Sequence, residues 1–489
     1  MKKLAISIIA LTTLSVNAQW NQIGTDIDGE VAGDWSGYVV SSNGDGSVIA
    51  IGARENDGSF TNAGHVRVFE NNGGSWTQIG SDIDGEAAGD YSGSSLSIND
   101  DGTILAIGAP GNNGNGNNSG HVRVYENLAG TWTQIGNDID GETLSNESGS
   151  SVSISNDGKI VAIGAIINDN TNGNDAGHVR VYMNIAGTWT QVGSDIDGES
   201  TGDKSGHSVS INGDGSIVAI GAKFNNSGGV DNGHVRVYQN INDVWTQLGV
   251  DINGEHSNDN SGHSISLSND GLTLAIGSPG SDDNGNGSGN ARVFRYNTGW
   301  TQLGSNISGT GSTNYAGISI SLSDDGNKVA VGSSGNSDAG SNSGHVRIYE
   351  NLNSVWTQVG NAINGEAADD QGAFVSLNND GSIAIIGGMK NDGNGVDAGH
   401  VRVYQFGAVN LTKWPNIEIN VYPNPVNSQL TIEIKEQIKS ISILGITGKT
   451  IKVINDNSKV INVSDLTIGV YFLQVKTNNG ILTKKFIKQ

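Results

Sequence analysis

Between Ser92 and Gly136 the apolar and polar positions change rhythm four times. Gly93-Ser-Ser-Leu-Ser-Ile98 alternates small polar with apolar side chains, the period of a strand with one buried face. Asp101-Gly102 follows, a hairpin signal that predicts a tight turn with both central residues at positive φ. Ile104-Leu-Ala-Ile-Gly-Ala109 is apolar without interruption, which predicts a strand covered on both faces. A Gly/Asn loop then leads to His121-Val-Arg-Val-Tyr125, and a turn at 126–131 leads to a fourth strand, Trp132-Thr-Gln-Ile-Gly136.

The whole cycle recurs seven times, marked by Trp20, Trp76, Trp132, Trp189, Trp245, Trp300 and Trp356 at spacings of 56, 56, 57, 56, 55 and 56 residues. The Asp-Gly turn returns with it, at Asp45, Asp101, Asp157, Asp214, Asp270, Asp325 and Asp380. So regular a period means that each unit is one supersecondary piece packed against copies of itself. Four short antiparallel strands in each of seven units predict an all-β fold, a seven-bladed β-propeller with the Ser-rich strands (Ser95 and Ser97, Ser151 and Ser153, Ser208 and Ser210) near the crowded axis. Blades that begin on the Ser-rich strand leave the last one, from Gly372 through Tyr404, without its Trp strand. The missing piece is Trp20–Gly24, so the beginning of the chain is expected to close the ring as the outer strand of blade seven. The Asp-Gly turns and the turns before each Trp then share one face. The long Asn/Asp/Gly loops, such as Arg54–Gly64, and the Asp-Ile-Asp-Gly-Glu segments share the other, a variable acidic face where ligands would bind.

Composition adds constraints. The 73 Gly, beside five Pro, fit many tight turns, and zero Cys excludes disulfides, a thiol nucleophile and any cysteine metal site. Residues 1–18 read as a secretory signal, with Lys2 and Lys3, an apolar run over 4–14 and the small-residue site Val16-Asn-Ala18. No other stretch has the run of about 18 apolar residues that a membrane-spanning helix needs. The net charge of −24 is uneven: residues 19–414 hold 15 basic and 45 acidic groups, a body that repels nucleic acid and anionic lipid. The expected organisation is a signal peptide over 1–18, the propeller over 19–406, a linker over 407–416 and a small β-sandwich over 417–489, the last from its alternating strands and Gly turns.

Two resemblances run through these motifs. Gly-x-Ser-apolar-Ser-apolar, Asp-Gly, Ala-Ile-Gly-Ala and Gly-His-Val-Arg-Val-Tyr, over residues 20–406, resemble the FG-GAP repeat of integrin α-subunit propellers, in a form common in secreted Bacteroidetes proteins. In integrins the turn between the first two strands is a longer loop that binds calcium. Asn99-Asp-Asp-Gly-Thr103 is too short for the spaced carboxylates, so the resemblance carries no calcium ligands to these turns. The tail resembles the C-terminal sorting domain of the type IX secretion system. The motifs that carry this are Tyr422-Pro423-Asn424-Pro425, Leu430–Ile434, Gly448-Lys449, Leu466–Phe472 with Gly469 and Tyr471, and Lys484-Lys485-Phe-Ile-Lys488. That implies recognition by the type IX machinery and a place in the medium or on the outer-membrane surface of a Gram-negative bacterium.

Candidate chemistry is repeat-bound. Asp26, Asp28 and Glu30, with the copy Asp82, Asp84 and Glu86, place three oxygens at alternate positions, a spacing that can wrap calcium. Later copies decay to Asn and Ser, which a turn-organising role tolerates better; no other cofactor is indicated. One Arg per blade (Arg67, Arg123, Arg180, Arg236, Arg292, Arg347, Arg402) is expected to pair with a carboxylate of a neighbouring segment. Six of the nine His precede those strands, one per blade, too dispersed to meet at one metal, while His207 and His263 can approach the channel mouth. No catalytic constellation rises above the repeat background. The expected function is a secreted or cell-surface, non-catalytic binding or adhesion propeller for an extracellular protein or glycan. The alternatives are an enzyme acting on an extracellular polymer, such as a polysaccharide hydrolase or lyase, and a structural surface-layer component.

Overall fold

The computed structural model describes residues 18–408, 419–434, 437–445, 449–454, 458–477 and 481–489. Gly448, most of the expected signal peptide and most of the expected linker lie outside the described residues. The chain forms two compact units, Met1–Val409 and Asn410–Gln489.

The first unit holds seven antiparallel sheets of one design. In the second blade the strands are Ser95–Ile98, Ile104–Ala109, His121–Leu128 and Thr131–Gln134. The second strand is buried on both faces from Leu105 onward, as its uninterrupted apolar run demands. Gly108 lies there because a Cβ would sit 2.2 Å from the carbonyl oxygen of Gly149 in the next blade.

Each blade has five strands rather than four. The third strand is longer than its Trp partner, so the chain bends at Gly136 (φ +73) and returns to pair Ile139–Asp140 with Val122 and His121. The Asp-Ile-Asp-Gly-Glu segments are therefore half strand, not loop alone. The Asp-Gly turns also differ from the expected form. Gly46 and Gly102 take positive φ (73° and 76°), but their Asp partners do not. Asp45 and Asp101 instead accept the N–H two residues on, at 2.8 and 3.0 Å, a side-chain cap that holds the turn.

Eight apolar clusters occur among the described residues, and seven of them each join two successive blades. One joins Ile385, Val401 and Val403 of the last blade to Val40, Ile49 and Ile51 of the first, so the ring is closed. Closure uses the beginning of the chain: Ala18–Gln22 pairs with His400–Ala408, Trp20 lying opposite Phe406. The indole N–H of every repeat Trp donates to a carbonyl of the preceding blade, from Trp20 to Val359 (2.8 Å) round to Trp356 to Leu303 (2.7 Å). At the turn face the residues just before the Asp-Gly pairs form a second circle. Gly44, Asp100, Asn156, Gly213, Asn269, Asp324 and Asn379 each donate N–H to the next member's carbonyl at 2.8–3.2 Å, and Asn379 donates back to Gly44. Side chains fill the space inside it: Asn379 Nδ2 donates to Asp100 Oδ1 (2.6 Å) and Asn156 Nδ2 to Asn269 Oδ1 (3.0 Å). Gly44 and Gly213 leave them room, since a Cβ there would lie 2.1 and 1.7 Å from those oxygens. These side chains narrow the channel at this end.

The second unit has a three-stranded sheet (Gln429–Glu433 between Asn420–Tyr422 and Val460–Asn462) and a four-stranded sheet (Thr450–Ile454, Ser440–Gly445, Gly469–Lys476, Ile481–Lys488). Leu430, Ile432, Ile441, Ile443, Leu473 and Phe486 share one core, as in a sandwich.

Two outcomes follow from the closure. Deleting Gln19–Asp26 strips blade seven of its outer strand and of Trp20, and is expected to lower the melting temperature by at least about 5 °C; an unchanged transition in calorimetry contradicts this. Burial, with Asp100 and Asp325 nearby, pushes the Asp324 carboxyl up to about 6 from 3.8. Its ionised form is the disfavoured one, so stability is lost as pH rises from about 4 through about 6. Asp324→Asn, which matches Asn156, Asn269 and Asn379, is expected to gain about 1 kcal/mol after solvent screening, or about 2 °C, at pH 7.5 and nothing at pH 4. Equal melting temperatures at pH 7.5 contradict it.

Candidate functional site

The loop end of the channel is built from positions whose backbone repeats and whose side chains do not. Trp35, Tyr91, Glu147, Lys204, Asn260, Tyr315 and Gln371 occupy one place in the seven blades, all with φ between 51° and 55°. Each of their N–H groups is held by a loop carbonyl of the preceding blade at 3.0–3.2 Å, which is what fixes the left-handed conformation. A constant frame thus presents seven largely different side chains around the axis.

Charge gathers there. Of the 14 basic side chains between residues 18 and 408, seven are the repeated arginines of the third strands. Four of the other seven, Arg54, Lys204, Lys223 and Lys390, stand at this mouth among aromatic rings. The Arg54 guanidinium lies between the rings of Tyr38 (4.9 Å) and Tyr91 (4.8 Å), donates to Tyr38 Oη (3.2 Å) and pairs with Glu55 (3.2 Å). Lys223 approaches the Phe224 ring at 5.0 Å and Lys390 approaches Trp35 at 5.6 Å. Tyr38 stacks on Phe374 across the seam between the first and last blades, with centroids 5.9 Å apart. Between Tyr38, Arg54, Tyr91, Glu147, Ile166 and His207 a cavity of about 250 Å³ opens to the loop face. With the turn end narrowed, the mouth is the wider opening, a cup.

Burial shifts the titratable groups of the cup toward their neutral forms. Burial, then the neighbouring Lys204, lowers the Lys223 ammonium to about 8. His207 and His263 do meet, with ring centroids 4.9 Å apart. Burial with Lys223 nearby pushes His263 down to about 3, and burial with His263 holds His207 well below its ordinary value, so both rings are neutral. Burial raises Glu147, against the pull of Lys204 and Arg54. The loop face is expected to be acidic. Its centre instead gathers cations and aromatic rings around Glu55 and Glu147, and the seam carboxylates lie at the rim.

At the rim six of the seven arginines cross a blade seam to a backbone carbonyl, and four of them, Arg123, Arg180, Arg236 and Arg402, also lie within 3.8 Å of the expected carboxylate of the preceding blade. Arg123 Nη2 donates to the carbonyl of Asp84 in the preceding blade (2.6 Å), and its Nη1 lies 3.5 Å from Glu86. Arg67 reaches the carbonyl of Asp28 in the same way (2.7 Å). The candidate calcium residues of one segment do not come together. Asp26 faces His400 and Glu366, whereas Glu30 faces His65 and Asp82; likewise Asp82 and Glu86 belong to successive seams. Asp28 and Asp84 pair as backbone with the third strand, and their carboxyls are raised by burial and by Asp26 and Asp82 respectively. The turn after them is organised by another residue: buried Asp34 accepts the N–H groups of Glu30 (3.1 Å) and Val31 (2.9 Å).

In the second unit, Asn424 of the Tyr422-Pro423-Asn424-Pro425 motif accepts the N–H of Ile487 (2.9 Å). Gly469 opens the strand that carries Tyr471, whose hydroxyl donates to Thr467 O (2.8 Å) and whose ring stacks on Phe486 at 5.6 Å. Lys484 and Lys485 are exposed on the last strand, while Tyr422 is half exposed.

Sequence reasoning that followed the repeat missed Arg54, Lys204, Lys223, Lys390, Trp35 and Tyr91. Aligning the units and reading where they disagree, rather than where they agree, would have found them.

Comparison with known proteins bears on the fold and on the tail. No curated protein is similar to the chain in sequence. Among solved structures, the chain is similar to the hydrazine synthase of Kuenenia stuttgartiensis (12% identity, 79% of this chain, 98% of that chain, TM-score 0.49). It is similar to a putative 6-phosphogluconolactonase from Bacteroides uniformis (14%, 74% and 95%, TM-score 0.50) and to the periplasmic gluconolactonase PpgL of Pseudomonas aeruginosa (17%, 68% and 85%, TM-score 0.46). At such identities the likeness concerns the fold alone. Residues 253–294 match the FG-GAP repeat family, and residues 420–489 match the secretion system C-terminal sorting domain. The chain is thus an FG-GAP-repeat β-propeller protein that ends in a type IX secretion sorting domain.

Proposed function

We propose that the protein is a secreted or surface-displayed, non-catalytic binding propeller that captures an anionic extracellular glycan in the cup at the loop end of its channel. The observation that carries this reading is the gathering of Arg54, Lys204, Lys223 and Lys390 among aromatic rings on a body otherwise rich in carboxylates. Uronic acid units offer a carboxylate for the cations and an apolar ring face for Trp35, Tyr38 and Tyr91. The channel narrowed at its turn end suits retention of a chain end or loop. The carboxylates at the mouth serve the cations, Glu55 by its ion pair with Arg54 and Glu147 through Lys204 and Arg54, which supports binding over hydrolysis. The sorting domain would deliver this cup to the outer surface of a Gram-negative cell, through the type IX machinery and a signal peptide over 1–18. Adhesion to an acidic matrix is the role such a cup fits.

The test is calorimetric titration of the full chain with oligogalacturonate, with its carboxyl-reduced neutral counterpart as control. Binding of the acidic oligomer alone is expected, weakened about tenfold by Arg54→Ala or by Lys223→Ala and unchanged by Lys159→Ala on the opposite face. Equal binding of the neutral oligomer, no binding, or indifference to Arg54→Ala and Lys223→Ala overturns the site. Shortening of the oligomer during incubation overturns the non-catalytic reading.

A further inference from the structure

The rim carries a chemistry independent of the cup. We propose that five of the seven blade seams each bind a divalent transition metal of the zinc class, through one His and one Asp of a blade and one Glu of the blade before it.

The seam at His121 shows the design. Glu86 comes from the preceding blade and Asp138 from the outer edge of the same blade as His121, and one ligand atom from each lies within 4.8 Å of the others. The same grouping recurs at His65, His178, His234 and His400. The imidazoles are buried; His121 and His234 each leave Nδ1 without a hydrogen-bond partner. That nitrogen faces carboxylate oxygens at a distance unsuited to a hydrogen bond. His121 Nδ1 lies 3.5 Å from Asp138, His178 3.6 Å from Asp195, and His400 3.8 Å from both Asp26 and Glu366. Two ligands on one tetrahedral zinc, with bonds of about 2.0–2.2 Å, stand about 3.4 Å apart, so the His–Asp gaps need to contract by a few tenths of an ångström and the wider gaps, which reach up to 4.8 Å, by about 1 Å.

The outward oxygens of the carboxylates are held. Gln134 Nε2 donates to Asp138 Oδ1 (2.7 Å), leaving Oδ2 toward the imidazole, and the Gln of the Trp-Thr-Gln strand repeats this at Asp82, Asp195 and Asp251. Arg123 lies at Glu86 Oε1, and at the next-but-one seam Arg236 lies 3.7 Å from Glu199 Oε1 while Oε2 faces His234 at 3.8 Å. Outer partners that aim ligating oxygens are the usual support of a metal centre.

The two remaining seams act as internal controls. Where Asn290 replaces His and Asn306 replaces Asp, the amides bond carboxylates directly: Asn306 Nδ2 to Glu255 at 2.8 Å and Asn290 Nδ2 to Asp283 at 2.9 Å. At the other, Thr310 and Ala362 stand where Glu and Asp are needed, and the Gln358 side chain donates to Gly360 O instead. His345 Nδ1 also stands off, 3.8 Å from Asp338, but only one carboxylate faces it, so that seam offers two ligands where the other five offer three. A nitrogen donor beside two oxygens suits zinc over calcium. Each ion would staple one blade to the next in a chain without cysteine.

Native mass spectrometry of the full chain, stripped with chelator and titrated with zinc alone, tests this. Retention of up to five zinc ions is expected, with a higher melting temperature and no displacement by excess calcium. His121→Asn, which imitates Asn290, is expected to lower the stoichiometry by one while leaving the metal-free melting temperature within about 1 °C; His345→Asn is expected to change nothing. No retained zinc, or a stoichiometry that His121→Asn leaves intact, overturns the proposal.

Discussion

Closure is the constraint from which the rest of this structure follows. A blade on its own exposes one apolar face on each side, and only a neighbour can cover it. Seven clusters meet that need seam by seam, but the seventh can form only if the last blade is whole. The strand at Ala18–Gln22 completes it, and the indole of Trp20 then makes to Val359 the same bond that every other repeat Trp makes to the blade behind it. The circle of backbone hydrogen bonds at the turn face records the same condition near the axis: it returns from Asn379 to Gly44 only because the blades come full circle.

A closed ring with no disulfide concentrates its repeated chemistry at the seams. Trp, Arg and the seam His occur in most or all units because each reaches the preceding blade or the carboxylates gathered between two blades. Identity between repeats therefore reports structure. Divergence reports something else, and it is greatest where the left-handed ring displays Trp, Tyr, Glu, Lys, Asn and Gln around one mouth. Asp100, Asn156, Asn269 and Asn379 narrow the far end, so that mouth is the wider opening. The division of labour is spatial: scaffold at the seams, recognition on the axis.

Much of this was legible in the residues. Alternating and continuous apolar runs mark the first two strands of each blade, and the orphan Trp20 strand reveals the closure, because period and count are one-dimensional facts. Three features were not. The short Ile139–Asp140 strand is set by the excess length of the third strand over its Trp partner, a tertiary mismatch. The Asp of Asp-Gly keeps an ordinary φ because its side chain, not its backbone, secures the turn. At four of the five seams the two residues beside the His lie 17 positions after and about 35 before it, as in Glu30, His65 and Asp82, and at the fifth Asp26 meets His400 from the far end of the propeller sequence, so no local spacing unites them. Asp26 and Glu30, close in sequence, are sent to different seams by the intervening strand pair.

Amide hydrogen exchange over the segment Gln19–Asn21 probes the closure most directly. If this strand seals the ring, its protection equals that of the internal outer strands at Trp132–Gln134 and Trp189–Gln191, and falls with them in one cooperative step as denaturant rises. Exchange as fast as that of a free chain end, while the internal Trp strands stay protected, would contradict the account.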